Sequence, residues 1–480
     1  MTVSRRGRCA VLLLAALSAV PALGADAPPP VDPAVLAKIR DAALGSDWAW
    51  QRLEDLTDKI GPRLSGSPQA EAAVTQVAAA LKGAGLEVSL QPAKVPHWVR
   101  GEERAELVDY PGRPEGLKQR LVLTTLGGSV ATPRDGLTAP VLVVHDFDDL
   151  KAHAAEARGR IVLFDKAFDQ HLADNGQAMT AYSQAVEYRV AGPSAAARVG
   201  AVAALIRTVG GADFRLPHTG TLRYEADAPQ IPAAALAAED AMWVGRLAAQ
   251  GPVRMHLTLT PQTLPDADSH NVLADLPGRD KPEEVVLVSG HLDSWDLAQG
   301  AIDDGAGVTA AMGAVQVLKS LGLQARRTIR VVAWMNEENG SGGAQAYFEA
   351  NKGRLAQHAA VIESDSGAGT PLGVVASMAS ESREALRPVL DALRPIGATA
   401  LRHDDGEVGE DIAPLQEAGV PGFAPLVDTR RYFWYHHSPA DTLDKVDPQD
   451  FRRQVAVMAV LAYYLAESPQ ALPRVVRKTP

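Results

Sequence analysis

Strand-like and helical segments alternate through the last part of the chain, and this alternation restricts the possible folds most strongly. The apolar run Val285–Val288 leads to a helical pattern at 307–322. Two more strand-like runs lie at 327–338 and 357–367, and a helical pattern at 382–397 follows them. Helices that connect parallel strands cover both faces of their sheet. The sequence therefore predicts an α/β fold with a mostly parallel, twisted sheet covered by helices on both faces.

The length of 480 residues predicts at least two domains, because a single hydrophobic core stops growing at about 250–300 residues. Short β runs and one alanine-rich helix set the segment 122–264 apart from the sequence on either side. We interpret this segment as a small β-rich domain inserted into a larger α/β domain. The larger domain then comprises residues 25–121 and 265–480.

The segment 1–24 has the composition of a secretory signal peptide. Arginines precede an apolar run that ends in small residues before Ala25, and the run is too short to span a membrane stably. We expect export to the periplasm or the medium, by the general route or, given the paired Arg5 and Arg6, by the twin-arginine route. Cys9 is the only cysteine and lies in this segment, which excludes a zinc site made of thiolates in the mature chain.

Acidic residues outnumber basic ones, 58 to 47. No basic patch or arginine-rich segment indicates binding to nucleic acid. Beyond the signal segment, no long apolar run predicts a membrane span. We therefore expect neither nucleic acid nor a membrane span to be part of the function.

Histidine and carboxylate side chains follow the strand-like runs in four clusters. Ligands of open α/β sheets bind at the carboxyl ends of the strands, so we expect these side chains to share one site. Nitrogen and oxygen donors without thiolate suit zinc and, less selectively, cobalt or manganese. The clusters are His291 with Asp293 and Asp303, then Glu337 with Glu338, then Asp365, then His437.

Two local patterns suggest roles within the first cluster. Asp293 lies two residues after His291, where its carboxylate can return to the imidazole and fix its tautomer. Asp303 and Asp304 are adjacent, so one could bind a metal while the other braces the loop or caps the next helix. Asp296 could likewise hold a turn.

Glu337 and Glu338 end a strand-like run, where successive side chains point to opposite sides. One of them can therefore bind a metal while the other faces the water as a general base. Without cations, so many carboxylates in a partly buried cleft would repel one another. The clustering thus favours a bound metal.

The four clusters, in this order, resemble the co-catalytic dizinc aminopeptidase family, and most closely its carboxypeptidase Q branch. The resemblance extends over nearly the whole chain after the signal segment. It implies that the insertion 122–264 is a protease-associated domain and that the larger domain is a catalytic metallopeptidase domain. The motifs that carry it are GHLDSWDLAQGAIDD, NEENGSGG, ESDSG and HHSPADT, with the stretches LTDKIGPRLSGSP, PHWVRGEE and AAEARGRIVLFDK.

Carried over position by position, the resemblance implies two zinc ions per chain, with cobalt or manganese as possible substitutes. Glu337 would be the general base, and Asp293 would orient the first histidine. His437 is preferred to His436 because the family's ligand directly precedes a serine or threonine. The implied ligands are His291, Asp303 and Asp365 for one ion, and Asp303, Glu338 and His437 for the other, with Asp303 bridging.

The implied activity is that of an exported exopeptidase that hydrolyses dipeptides or N-terminal residues of small peptides by a metal-bound hydroxide. Small peptides are the expected partners, and a homodimer is possible. Trp295 and the segment RRYFWYHH could form walls of the cleft, and the YFWY part could equally be a dimer contact. The remaining histidines are expected to be structural or exposed rather than catalytic, although His97 and His218 could line the cleft. They include His97, His218, His403 and His436.

Two alternatives stay open on the same fold. One is an acyl transferase of the glutaminyl cyclase kind, which uses one metal. The other is a binding protein that has lost its activity. The motifs do not distinguish a dipeptidase from an aminopeptidase.

Overall fold

A computed structural model of the protein describes residues 1–2, 31–211 and 214–475. The segment 1–24 that predicts a signal peptide lies outside the described residues, apart from its first two. The described residues form two eight-stranded sheets. The strands are β1 (Glu87–Val99), β2 (Glu103–Asp109), β3 (Gln119–Leu121), β4 (Leu123–Thr125), β5 (Leu137–Val144), β6 (Ile161–Phe164), β7 (Ala203–Arg207), β8 (Ala233–Leu236), β9 (Arg254–Leu259), β10 (Gln262–Leu276), β11 (Lys281–His291), β12 (Arg327–Trp334), β13 (His358–Glu363), β14 (Pro371–Ser377), β15 (Ala400–His403) and β16 (Gly422–Val427).

The α-helices follow the same chain order, and none in the described ranges is long and apolar enough to cross a membrane. They are α1 (Pro33–Leu44), α2 (Trp48–Lys59), α3 (Pro68–Gly83), α4 (Phe147–Ala152), α5 (Ala154–Ala157), α6 (Gln170–Asp174), α7 (Ala178–Val190), α8 (Gly192–Arg198), α9 (Ala238–Ala248), α10 (Ala306–Ser320), α11 (Gly342–Asn351), α12 (Arg387–Leu393), α13 (Ala413–Glu417), α14 (Tyr432–Tyr435) and α15 (Pro448–Glu467).

The first sheet has the order β1-β10-β12-β11-β13-β16-β14-β15. Its centre, from β12 through β11 and β13 to β16, is parallel. Strands β1, β10 and β12 pair antiparallel with one another, as do β14 and β16. Residues 364–370 connect β13 to β14 without a helix, so β14 runs opposite to β13. The sheet is therefore mixed, and the predicted parallel character holds for its centre.

Helices cover both faces of this sheet, as the alternation in the sequence predicted. Along β12, Ile329 and Val331 belong to the larger core, while Val332 and Trp334 belong to the smaller core on the opposite face, because successive side chains of a strand point to opposite sides. Helices α10 and α15 pack in the larger core, and α11 and α13 contribute to the smaller one. The central strands are thus buried on both faces.

The second sheet has the order β3-β2-β9-β5-β6-β7-β8-β4. Its strands come from Glu103 to Leu259, so β2 and β3 join it although they precede residue 122. Two separate cores, one on each side of the sheet, pack its apolar side chains. The chain passes from the first sheet to the second between β1 and β2, and returns between β9 and β10.

The parallel centre of the first sheet brings the ends of three strands to one edge. His291 at the end of β11 lies opposite Trp334 at the end of β12. Ser289 of β11 lies opposite Glu363 at the end of β13. The residues that follow these three strands therefore meet at the same edge.

Burial of His358, the first residue of β13, creates a pH-dependent element of stability. Its imidazole lies 2.9 Å from the Tyr347 hydroxyl through Nε2 and 3.3 Å from the Arg354 carbonyl through Nδ1. Burial lowers the pKa of His358 to about 4, against ~6.5 in an unfolded chain. The unfolded state thus binds more protons between these values, so the stabilisation is complete above pH ~6.5 and is lost as pH falls toward 4.

We expect His358→Gln to remove this component. As pH falls from 7 to 4.5, the free energy of unfolding of both proteins should decrease. The decrease should be larger in the unsubstituted protein than in the variant, by on the order of 2 kcal/mol. Denaturant titration at a series of pH values measures the difference. His403→Gln, at an exposed position, is the matched control and should follow the unsubstituted protein. Parallel pH profiles for all three proteins would contradict the assignment.

Candidate metal centre

The predicted site residues come together at the carboxyl edge of the first sheet. His291 ends β11, Glu337 and Glu338 follow β12, and Asp365 follows β13. Asp303 lies between β11 and α10, and its peptide bond to the next residue is cis. His437 arrives from the loop after α14.

His291, Asp303 and Asp365 form the first group of donors. His291 Nε2 lies 3.2 Å from Asp303 Oδ1 and 3.4 Å from Asp365 Oδ1. His291 and Asp303 are buried, whereas Asp365 is partly exposed. The other imidazole nitrogen, Nδ1, lies 3.0 Å from the main-chain carbonyl of Asp293, which fixes Nε2 as the nitrogen that faces the carboxylates.

The second group uses the other oxygen of the same aspartate. His437 Nε2 lies 3.2 Å from Asp303 Oδ2 and 3.0 Å from Glu338 Oε2. Asp303 Oδ2 is buried and accepts no hydrogen bond from the residues that the structure describes. A buried carboxylate oxygen without a partner is costly, and it lies where a cation could be held. One carboxylate thus faces two imidazoles with its two oxygens.

His436 lies beside this second group. Its Nε2 is 3.6 Å from Asp303 Oδ2, and its ring stacks on that of His437 with 3.5 Å between the centroids. His437 is closer to Asp303 and also reaches Glu338, so it has the better donor geometry. The main-chain carbonyl of His436 accepts a hydrogen bond of 2.6 Å from His218 Nδ1, which gives His218 a supporting position under this loop.

Thr219 holds His437 in place. It lies in the segment of the chain that forms the second sheet. The Thr219 amide donates to the His437 carbonyl at 2.8 Å, and His437 Nδ1 lies 3.3 Å from the Thr219 carbonyl. His437 has a φ of 59°, a left-handed conformation that is uncommon without glycine. The paired contacts with Thr219 stabilise this conformation and fix the direction of Nε2.

The carboxylate of Asp293 has a different partner from the predicted one. It lies 4.0 Å from His291 Nδ1, and it accepts main-chain hydrogen bonds from Asn336 at 2.7 Å and Glu337 at 3.1 Å. A third, longer contact of 3.4 Å comes from the Glu338 amide. Asp293 therefore positions the histidine through its carbonyl and the two glutamates through its carboxylate.

Three further residues hold the loop that carries Asp303. Asp304 accepts from the amides of His291 and Gly307 at 3.0 Å each, so it both braces the histidine and caps α10, as the sequence had suggested. Asp441 accepts from the amide of Ile302 at 2.7 Å and from that of Asp303 at 3.2 Å. The third residue, Arg63, is buried and donates to the carbonyls of Gln299 and Gly300 at 2.7 and 2.9 Å.

Sequence reasoning did not single out Asp441 or Arg63. Both lie inside quoted motifs, Asp441 in HHSPADT and Arg63 in LTDKIGPRLSGSP. Their position inside these motifs was the only signal that the sequence offered for them. Glu363 and Asp411 are two more buried carboxylates near Asp365, and Glu363 accepts a hydrogen bond from the Asp411 amide. Within the described part of the chain, neither carboxylate oxygen of Asp411 has a hydrogen-bond partner.

Without bound cations, the buried carboxylates of the centre lie close enough to disfavour one another's charged forms. Burial raises the pKa of Glu338 to about 7, and the nearby Asp303 charge adds to this rise. Burial also raises the pKa of Asp365. Burial opposes the charged form of His437, but Glu338 and Asp303 outweigh it and raise its pKa to about 9. Divalent cations would relieve this crowding of buried carboxylates, and nitrogen and oxygen donors of this kind suit zinc.

Glu337 is half-buried and lines a cavity of about 720 Å³ that opens onto the two groups. Burial raises its pKa well above the ordinary value, and Asp365 and Glu338 add to the rise against the opposing effect of His291. Tyr432 and Phe433 of the predicted aromatic wall also line this cavity. Phe433 stacks on Tyr182 of α7 with 4.6 Å between ring centroids, so it packs within the chain.

The other residues singled out in the sequence lie around the centre. Trp295 is buried, its amide donates to Glu338 Oε1 at 3.1 Å, and its ring lies edge-on to His437. Asp296 forms a 2.6 Å ion pair with Arg100. His97 is half-buried in β1, and His403 is exposed at the end of β15.

A mixed α/β sheet with five nitrogen and oxygen donors gathered at its carboxyl edge defines a candidate metalloenzyme. The model of Peptidase family M28 matches residues 271–462. Mouse (Mus musculus) carboxypeptidase Q is 40% identical over 428 residues, which are 89% of this chain and 87% of that protein. The chain therefore belongs to Peptidase family M28, and it is a metallopeptidase.

Solved structures agree with this assignment. The crystal structure of a Peptidase M28 precursor from Shewanella amazonensis SB2B is similar, with a TM-score of 0.87 and 35% identity over 93% of this chain and 99% of that one. The fold is also similar to that of a zinc aminopeptidase from Bacillus subtilis, with a TM-score of 0.63 and 21% identity over 87% of this chain and 94% of that one.

The bracing role of Asp441 leads to a test on metal affinity. Asp441→Asn replaces one acceptor with an NH₂ donor that faces a main-chain N–H, so the loop that carries Asp303 should shift. Changes in groups that orient metal ligands typically lower affinity by about 10–100-fold, and we expect a loss of this size. Competition for Zn²⁺ with a chromophoric chelator measures it.

Asp444→Asn is the matched control, because the Asp444 side chain is 71% exposed on the same stretch of chain. It should leave Zn²⁺ affinity unchanged. Equal affinities for the Asp441 variant and the control would show that Asp441 does not position the centre.

Proposed function

We propose that this metallopeptidase is an exported dizinc exopeptidase that hydrolyses dipeptides or removes N-terminal residues from small peptides. The observation that carries the proposal is the position of Asp303, whose two carboxylate oxygens face His291 and His437 at 3.2 Å each. One bridging carboxylate between two imidazoles is suited to two adjacent cations. The zinc in the name of the Bacillus subtilis aminopeptidase supports this choice of metal.

The proposed ligands are those of the two groups of donors. His291 and Asp365 would complete the site on one side of Asp303, and Glu338 and His437 the site on the other. Three carboxylates and two neutral imidazoles would leave the two divalent ions with one remaining positive charge, which a hydroxide would balance. A site near zero net charge is compatible with the burial of these groups.

Divalent ions in this site would supply Lewis-acid chemistry, polarising the carbonyl of the peptide bond and lowering the pKa of a water toward ~7. Glu337 lines the same cavity and would accept the proton of the attacking water at a carboxylate oxygen. The same carboxyl would then deliver the proton to the nitrogen of the leaving amine. Asp293 would keep Glu337 in place through the amide hydrogen bonds it accepts.

We extend the proposal to the rest of the chain on the strength of the family resemblance. Residues 1–24 would direct export, and the segment that forms the second sheet would be a protease-associated domain. A homodimer is part of the same proposal. The one-metal acyl-transferase alternative is disfavoured because Asp365 and Glu338 both lie in the site.

Turnover of a dipeptide by the zinc-loaded protein, with and without a chelator, tests the proposed function. We expect cleavage that the chelator abolishes and Zn²⁺ restores. Glu337→Gln should keep its metal content while kcat falls on the order of 10²-fold or more, because the amide cannot accept the proton.

Two outcomes would contradict the proposal. A chelator-treated protein without metal that still cleaves dipeptides at the full rate would exclude metal catalysis. A Glu337→Gln variant with unchanged kcat would exclude Glu337 as the base. Glu410→Gln is the matched control, since Glu410 lines the same cavity but is exposed, and its metal content and kcat should stay close to those of the unsubstituted protein.

A further inference from the structure

Arg100 lies between β1 and β2, where the chain first passes from one sheet to the other. Its side chain is only 11% exposed. Toward the first sheet, its Nε and Nη2 donate to the Asp296 carboxylate at 2.8 and 2.6 Å, which makes a bidentate pair. One guanidinium ties the two parts of the chain together, because it also donates to four groups in the segment that forms the second sheet. They are the Glu103 carboxylate at 2.9 Å, the Thr124 hydroxyl at 2.8 Å, the Thr125 carbonyl at 2.6 Å and the Thr219 hydroxyl at 3.3 Å.

The Asp296 side of this network leads to two of the proposed metal ligands. Asp296 directly follows Trp295 in the loop after β11, so the ion pair also restrains Trp295. The Trp295 amide donates to Glu338 Oε1 at 3.1 Å, and its ring lies edge-on to His437 with 5.7 Å between the centroids. The same ring lies against Gly127, where a Cβ would come within 2.0 Å of it. Trp295 therefore contacts both ligands while it packs on the segment that forms the second sheet.

The Thr219 side of the network leads to the same two ligands. The Thr219 hydroxyl accepts from Arg100, and the main chain of Thr219 pairs with His437. Two residues further on, the Thr221 hydroxyl donates to the main-chain carbonyl of Glu338 at 2.8 Å. Both routes from the guanidinium thus end at the ligands of one proposed ion.

The ligands of the other proposed ion are held by the part of the chain that forms the first sheet. The His291 amide donates to Asp304 at 3.0 Å, and the His291 imidazole lies 3.0 Å from the Asp293 carbonyl. Both partners lie between β11 and α10, and Asp365 follows β13 of the same sheet. The two positions of the proposed centre are therefore supported differently.

We propose that Arg100 is a positioning residue for one of the two ions, the one held by Glu338 and His437. Groups that orient metal ligands tune the affinity for the metal, and a planar guanidinium with several acceptors fixes those acceptors relative to one another. Loss of Arg100 would loosen this position, while the position at His291 and Asp365 would keep its ligands in place. The inference rests on the proposed function and deepens it, because it assigns control of one ion to the junction between the two sheets.

The test measures zinc affinity at each position separately, in full-length mature proteins that retain one ion. Asp365→Ala removes a ligand of one position and leaves the position at Glu338 and His437, whereas His437→Ala leaves the other position. Competition for Zn²⁺ with a chromophoric chelator gives each affinity. Arg100→Met removes every donor but keeps an unbranched stem, and it should lower the affinity of the Asp365→Ala protein by about 10–100-fold. It should leave the affinity of the His437→Ala protein unchanged.

Asp296→Asn is a second variant in case the Arg100→Met protein does not fold, since it keeps the shape of the side chain and removes only its charge. It should weaken the same position. The two substitutions combined should lower the affinity no further than Arg100→Met alone, because both act on one interaction. Arg330→Met is the matched control, as Arg330 donates to both oxygens of Asp275 at 2.7 Å within the first sheet. This control should leave both affinities unchanged.

The possible failures are distinguishable. Equal losses at both positions would assign Arg100 to the stability of the whole fold, and unchanged affinity at both would separate it from the centre. Either result overturns the inference and leaves the proposed function standing. An unsubstituted protein that binds one ion or none would show that the proposed dizinc function is wrong, and the inference would fall with it.

Discussion

The bridging position of Asp303 is the constraint on which the rest of the site depends. Its two oxygens face two different histidines, and one of the oxygens is buried and accepts no hydrogen bond from any described residue. Such a carboxylate is stable only if its charge is balanced, and the neighbouring Glu338 and Asp365 increase the imbalance. Much of the surrounding structure serves to hold this arrangement. Asp441 fixes the loop from one side and Arg63 from the other.

The centre is built jointly by two parts of the chain. The first sheet supplies the strand ends, but His437 depends on Thr219, which lies in the segment that forms the second sheet. The segment that forms the second sheet therefore holds a proposed metal ligand in place, which links the second sheet directly to the proposed chemistry.

The sequence was sufficient to predict that the metal-ligating side chains share one edge of the sheet. It was not sufficient to predict the hydrogen bonds that fix their orientation. Strand-like runs followed by His291, Glu338 and Asp365 imply a common edge, because parallel strands end on the same side of a sheet. The carboxylate of Asp293 was expected to reach the imidazole, yet it binds amides after β12. Its direction depends on the conformation of a loop, which spacing alone does not determine.

Contacts between residues that are far apart in the chain could not be predicted from the sequence either. Arg63 and Asp441 meet the Asp303 loop from distant parts of the chain, and no local pattern announces such a contact. The same reason applies to the second sheet, where β2 pairs with the distant strand β9 although β2 lies ahead of the predicted boundary at 122. The parallel centre of the first sheet followed from its strand and helix pattern, whereas the direction of β14 depended on a short connection.

The number of divalent ions bound per chain tests the central claim most directly. Elemental analysis of the zinc-loaded protein should give two ions per chain, falling to one in Asp365→Ala and to none or nearly none in Asp303→Ala, because only Asp303 serves both sites. One ion per chain in the unsubstituted protein, or two ions retained by Asp303→Ala, would contradict the bridging role of Asp303.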